Sequence, residues 1–355
     1  MQAISDRIDV DDAARALVAG DRARLLRDPA ILATGLADER GVPRVGRAAE
    51  DRLLFAAGYG DLALGRLYEG HINALQLIAR LGTPDQRRAA ERDVAAGRLF
   101  ATWNTQAEDG VWIVERSERG VRLAGRKTFC SGAPTVARGL ITARAVEGGP
   151  AQILVADMSL PGIAIDADFW RPFGMEASES HAVDFTGVTL PPEALVGDPG
   201  VYEKPPWFAA GAARFVAVHA GGIARLIDAY AAWLRVGTRG DDPFALARLG
   251  TSVALGGAAR ALSLACVPAW ERADAGQVDD RLYLTVDAAR VAVERAGLDV
   301  AEAVERGVGA RGLLEPEPFS RLLRDLRMYL RQPAPDQAIV RVGRLAVGGA
   351  TLFDR

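Results

Sequence analysis

The segment Trp170-Arg171-Pro172-Phe173-Gly174-Met175-Glu176-Ala177-Ser178 leads through Val183-Asp184-Phe185-Thr186-Gly187-Val188 to Pro191. It joins a Gly-Met turn to two short runs of strand composition, Ala182–Phe185 and Val188–Leu190. Further runs of the same kind lie upstream, at Trp112–Glu115, Val121–Ala124, Leu140–Arg144 and Ile153–Asp157. Gly, Pro and Asp separate them at short intervals, as in a small sheet, sandwich or barrel.

On either side the apolar period becomes that of helices. From Val10 to about Gly97 the chain is rich in Ala, Leu and Arg, and its clearest helix is expected over Asp61–Arg80. There Leu64, Leu67, Tyr68, His71, Leu75 and Ile78 fall on one face. Gly82-Thr83-Pro84-Asp85 then stops and restarts the chain, with Thr83 as the cap and Pro84 in the first helical position. After Pro205-Pro206 four or five long Ala-rich segments run to about Gly348, with a break at Gly237–Pro243. The class is α+β: an N-terminal α-helical domain at 1–98, a middle β domain at 99–203 and a C-terminal four-helix bundle at 204–355.

Composition narrows the partners. The net charge of −3 is spread without long runs of one sign, which argues against nucleic acid. No stretch has the roughly 18 uninterrupted apolar residues of a spanning helix, and the acidic start lacks a signal-peptide core, so no membrane association and a cytoplasmic location are expected. Cys130 and Cys266 stand far apart without metal-ligand spacing, so they are expected to be buried small side chains, with no disulfide and no metal site.

Five motifs in this order resemble the acyl-CoA dehydrogenase superfamily over nearly the whole chain. Leu81-Gly82-Thr83-Pro84-Asp85-Gln86-Arg87 is similar to the turn that closes the family's N-terminal domain. Gly125-Arg126-Lys127-Thr128-Phe129-Cys130-Ser131-Gly132-Ala133 resembles the segment whose aromatic and hydroxyl residues sit beside the flavin ring. The Trp170–Ser178 segment with Val183–Val188 and Pro191 resembles the closing strands of the β domain. Arg214 with Ala220-Gly221-Gly222, and Arg324-Asp325, fit the first helix and the end of the bundle.

The resemblance implies FAD as cofactor. Phe129 would pack on the ring and Ser131 would supply a hydroxyl near N5, with Trp103, Asn104 and Thr105 at the pyrimidine end. Arg239 stands where an arginine reaches a neighbouring subunit's pyrophosphate, and Gln337 where a glutamine lies near the adenosine half. A homodimer or homotetramer follows from the same likeness. The chain departs from the family at Glu108-Asp109-Gly110, which replaces Gly-Ser-Asp, and at the general base. The usual glutamate falls on Pro333 and the alternative one on Ala213, neither of which accepts a proton.

Position alone offers substitutes for that base. Asp336 is nearest to the lost glutamate, and His71 lies on the apolar face of its helix; both are taken as candidate catalytic groups. Glu69, Glu305, His181 and His219 are weaker candidates. Three functions remain open. The first is an FAD-dependent oxidoreductase acting on an acyl thioester or a related activated C–H donor. The second is a monooxygenase of the same fold that takes reduced flavin from a partner reductase and hydroxylates carbon or nitrogen. The third is a redox-inactive homologue. Enzymes of the second kind need neither the glutamate nor the Gly-Ser-Asp turn, although they often carry a histidine near Pro333–Asp336, where this chain has none.

Overall fold

The structure, a computed structural model, describes residues 8–204, 206, 211–237, 240–332 and 334–352, with the backbone alone at 106–109. Arg239 and Pro333 therefore lie outside the described residues.

Among the described residues six helices come first: α1 Val10–Ala19, α2 Arg22–Leu25, α3 Pro29–Ala33, α4 Arg47–Gly60, α5 Leu62–Leu81 and α6 Pro84–Ala95. The Asp61 side chain caps α5 by accepting from the Leu64 N–H. Thr83 and Gln86 form a reciprocal capping box on α6, with Pro84 at its start. The Gln86 amide also donates to the carbonyls of Glu193 and Leu195, both at 2.7 Å. The Gly-Thr-x-x-Gln pattern thus ties the helices to the β domain. Helix α5 departs from the one-sided burial that its apolar face suggests: it is buried almost all round, Glu69 and Gln76 included.

The strands form two sheets. One has the order β1 (Phe100–Trp103), β4 (Arg138–Ala143), β5 (Gln152–Asp157) and β9 (Leu195–Val196), with β1 and β4 parallel. The other has the order β2 (Gln106–Ser117), β3 (Gly120–Cys130), β7 (His181–Asp184) and β6 (Ala164–Asp166), and β8 (Thr189–Leu190) pairs with β3. Strands β6 and β9, of three and two residues, are too short to leave an alternating pattern.

Five described helices follow, within the four or five segments expected: α7 Ala213–Val236, α8 Pro243–Asp274, α9 Asp280–Gly312, α10 Phe319–Tyr329 and α11 Pro335–Val347. Helix α7 crosses α4 at backbone contact. A Cβ on Gly58 would stand 2.1 Å from the Val218 carbonyl oxygen, and one on Gly221 would stand 2.1 Å from that of Phe55. The helices before and after the strands therefore share one core, to which the β domain adds its inner face.

Candidate active site

The site begins with an irregularity in β3. Its pairing with β7 slips between Lys127 and Cys130, and Phe129 takes a left-handed φ of 55°. Such a slip re-aims a side chain. Lys127 and Cys130 stay wholly buried while Phe129 turns outward, 37% exposed. Holding a non-glycine residue there costs about 1–3 kcal/mol, which the neighbouring contacts must offset. The Phe129 ring meets Phe169 edge-on at 5.3 Å and Trp170 at 6.1 Å. Beneath it, burial brings the Lys127 ammonium down to about 7, and its Nζ donates to Thr142 Oγ1 at 2.9 Å.

A chain of hydroxyls continues from Phe129 into the site. Ser131 Oγ and Ser180 Oγ are 2.8 Å apart, as are Ser180 Oγ and Ser178 Oγ, and Ser178 donates to the Met175 carbonyl at 2.8 Å. The Gly132 N–H donates to the Ser178 carbonyl. Phe129, Ser131, Ser178, Ser180, Thr105, Trp170 and Met175 form one wall of a cleft. Helices supply the other wall: Arg66 from α5, Met328 and Tyr329 from the end of α10, and Gln332 just beyond it.

Two sequence motifs far apart in the chain close this cleft together. Gly174 lies against the backbone of Arg324 and Asp325, and the Met175 N–H donates to Asp325 Oδ1 at 2.5 Å. The Gly-Met turn and the Arg-Asp pair are thus two halves of one joint.

The other sequence-named residues divide. Thr105 lines the cleft, whereas Trp103 lies behind it, 1% exposed, with Nε1 donating to the Ser131 carbonyl at 3.1 Å. Trp103 therefore supports the serine from below. Asn104 donates to Tyr202 Oη at 2.8 Å, and its buried Oδ1 has no partner among the described residues.

His71 does not reach the cleft. It is fully buried, its Nδ1 accepts from the Phe100 N–H at 3.1 Å, and its Nε2 donates to the Leu32 carbonyl at 2.9 Å. Both nitrogens hold backbone, and burial pulls the imidazole down to about 4. This is a structural histidine, which corrects the catalytic expectation. Asp336 and Gln337 are exposed on the first turn of α11 and are not among the residues that line the cleft. Ala213 lines a different cavity, beside Glu50, Arg214 and Trp270. Of the weaker candidates, Glu69 is bound by Arg66 at 2.8 Å, and Glu305 is held by Arg327 through bonds of 3.1 and 2.8 Å. His219 is buried below Tyr329, and His181 opens β7.

Sequence reasoning missed Arg66, Ser180, Met328, Tyr329 and Gln332. One signal was present: Arg66 and Glu69 stand at i,i+3 spacing, where they form an ion pair, in the helix that carries the apolar face.

No family model matches the chain. It is 24% identical over 324 residues to a dibenzothiophene monooxygenase of Rhodococcus erythropolis, covering 81% of this chain and 77% of the relative. It is 25% identical over 315 residues to the "Probable FMNH2-dependent monooxygenase SfnC" of Pseudomonas putida, covering 81% and 78%. Among solved structures, TdsC of Paenibacillus sp. A11-2 with FMN and indole superposes with a TM-score of 0.81 at 19% identity, over 97% of this chain and 98% of that one. Glutaryl-CoA dehydrogenase of Mycobacterium smegmatis superposes with a TM-score of 0.77 at 17% identity, over the full length of both. With its helical, strand and helical parts in this order, the chain has the fold of the acyl-CoA dehydrogenase superfamily.

Proposed function

We propose that the chain is a monooxygenase that takes reduced FMN from a partner reductase and transfers one oxygen atom of dioxygen to a small, largely apolar substrate, the other oxygen leaving as water. The observation that carries this reading is the cleft lining: its described residues include no carboxylate, while Phe129, Trp170, Met175, Met328 and Tyr329 make it aromatic and sulfur-rich. A dehydrogenase of the family's usual kind needs a base there to take the α-proton. An oxygen-transferring enzyme needs a dry slot and hydrogen-bond donors.

The residues present fit a flavin. Phe129 and Trp170 offer an apolar wall, the Ser131–Ser180–Ser178 chain offers hydroxyls at its edge, and Asn104 Oδ1, next to Thr105, is a buried acceptor without a partner among the described residues. Bound reduced flavin would supply the two electrons that activate dioxygen. Ser131 would orient the ring, Thr105 would meet its polar end, and the closed joint at Gly174 would exclude water. FMN replaces the FAD of the sequence-based expectation here, supported by the FMN bound in TdsC and the FMNH2 in the name of the Pseudomonas relative. An acyl thioester is no longer the favoured substrate. A second copy of the chain would cover the exposed apolar side chains of α8, namely Phe244, Leu246, Val253 and Leu264, consistent with the implied homo-oligomer.

The test is oxygen transfer under isotope-labelled dioxygen, with a flavin reductase, NADH and FMN, against a panel of aromatic sulfur and nitrogen heterocycles. One labelled oxygen per product, and none formed without the reductase, is the expected result. Acyl-CoA oxidation without a reductase would return the account to a dehydrogenase.

A further inference from the structure

The helical wall of the cleft holds a polar group that the protein itself leaves unused. Tyr329, the last residue of α10, is 2% exposed and lines the cleft, and its hydroxyl has no hydrogen-bond partner among the described residues. A buried hydroxyl without a partner costs about 1–3 kcal/mol. The ring is nevertheless firmly placed: His219 packs edge-on against it at 4.6 Å, and Phe215 lies at 5.8 Å. Burial raises the phenol above its usual range, so it remains protonated and available as a donor.

Its polar neighbour on the same wall is Arg66, whose guanidinium lies over the Phe215 ring at 5.6 Å and gives one nitrogen to Glu69 at 2.8 Å. A guanidinium only donates, and the ion pair with Glu69 offsets its charge. The wall facing the proposed flavin slot therefore presents two donors and little net charge. It has no use for a cationic ligand and gains little from a fully anionic one. The guest that satisfies it carries a neutral hydrogen-bond acceptor, and the aromatic and methionine surroundings suit a flat apolar body.

We infer that Tyr329 is a substrate-binding residue whose hydroxyl donates to a neutral acceptor oxygen on an aromatic substrate held between the helical wall and the flavin slot. This assignment deepens the proposed function and rests on it for the word substrate. The contact itself can be tested without turnover.

The experiment compares 2-acetylnaphthalene with 2-ethylnaphthalene, which share a shape and differ in the acceptor oxygen. Binding is read by quenching of tryptophan fluorescence, with Trp170 in the cleft, in wild type and Tyr329→Phe, both free of flavin. In wild type the ketone is expected to bind about fivefold to tenfold more tightly than the hydrocarbon, as one good hydrogen bond to an otherwise unpaired group provides. In Tyr329→Phe that preference is expected to vanish while the hydrocarbon affinity stays the same. The ligand-free variant is expected to melt at the same temperature as wild type or higher, because it loses an unsatisfied group. A preference that survives the substitution, a variant that melts several degrees lower, or a wild type that binds neither probe would each overturn the assignment. Since no flavin or oxygen is involved, the binding result can stand if the monooxygenase reading fails, and fail if that reading stands.

Discussion

Gly174→Ala is expected to destabilise the protein by about 3 kcal/mol or more and to abolish binding of reduced FMN. A Cβ at that position would stand 2.2 Å from the Arg324 carbonyl oxygen, 2.4 Å from its carbon and 2.8 Å from the Asp325 nitrogen. All three are backbone atoms, so no rotamer change relieves the clash. Either the turn or the whole of α10 must move. Overpacking alone costs about 1–3 kcal/mol. Stretching the 2.5 Å bond from the Met175 N–H to the Asp325 carboxylate adds about 1.5–3 kcal/mol. Helix α10 carries Met328 and Tyr329, so the same movement opens the cleft. Thermal unfolding together with anaerobic titration with reduced FMN measures both effects. Asp325→Asn, which keeps an acceptor oxygen in place, is expected to show a smaller loss of each. A Gly174→Ala protein that melts with wild type would mean that this contact does not seat α10.

Acid provides the second large effect. His71 and His219 are fully buried, and burial lowers their imidazoles to about 4 and about 3 from an ordinary value near 6.5; the positive charge of Arg290 contributes at His219. Both folded values are depressed, so each histidine contributes stability that is complete above pH 6.5 and is lost as pH falls toward the folded value. At about 1.4 kcal/mol per pKa unit the loss is roughly 3 kcal/mol for His71 and somewhat more for His219. That approaches the whole stability of an ordinary domain, about 5–15 kcal/mol. Glu50 acts in the same direction, held below the usual carboxylate range by Arg47 and Arg214 against its burial, whereas Glu69, raised by burial, acts oppositely. Urea unfolding at a series of pH values is expected to show a steep fall below pH 6.5 and cooperative acid unfolding before pH 4. His71→Gln is expected to flatten the curve at some cost in stability at neutral pH. A curve that is flat from pH 7 to pH 4.5 would contradict the assignment of these histidines as buried and neutral.

The sequence was most legible where local chemistry decides the outcome. Asp61, Thr83 and Pro84 mark the ends of α5 and α6 because caps are local, and the Gly237–Pro243 break falls between α7 and α8 for the same reason. The aromatic-hydroxyl segment led to one wall of the cleft through Phe129 and Ser131. What no local pattern encodes is the partner across a contact. Gly174 and Asp325 were both singled out, yet their meeting depends on how α10 docks onto the β domain. His71 was misread for a related reason: one apolar face cannot reveal that α5 is covered on every side, or that both ring nitrogens are held by backbone. Asp336 was placed near the site by its sequence distance from Pro333. Helix α11 instead carries it to the surface. Tyr329 and Arg66 were passed over because a tyrosine near a helix end and an ion pair within a helix are ordinary until a cleft is seen to form between them.

The central claim is that this cleft takes reduced FMN, and anaerobic titration of the protein with dithionite-reduced FMN, followed by the same titration with oxidised FMN and with FAD, tests it most directly. Saturable binding of reduced FMN is expected, with weaker binding of the oxidised form and of FAD, and a marked loss of the first in Ser131→Ala. Binding of no flavin in either redox state would contradict it, and a preference for oxidised FAD would point back to a dehydrogenase.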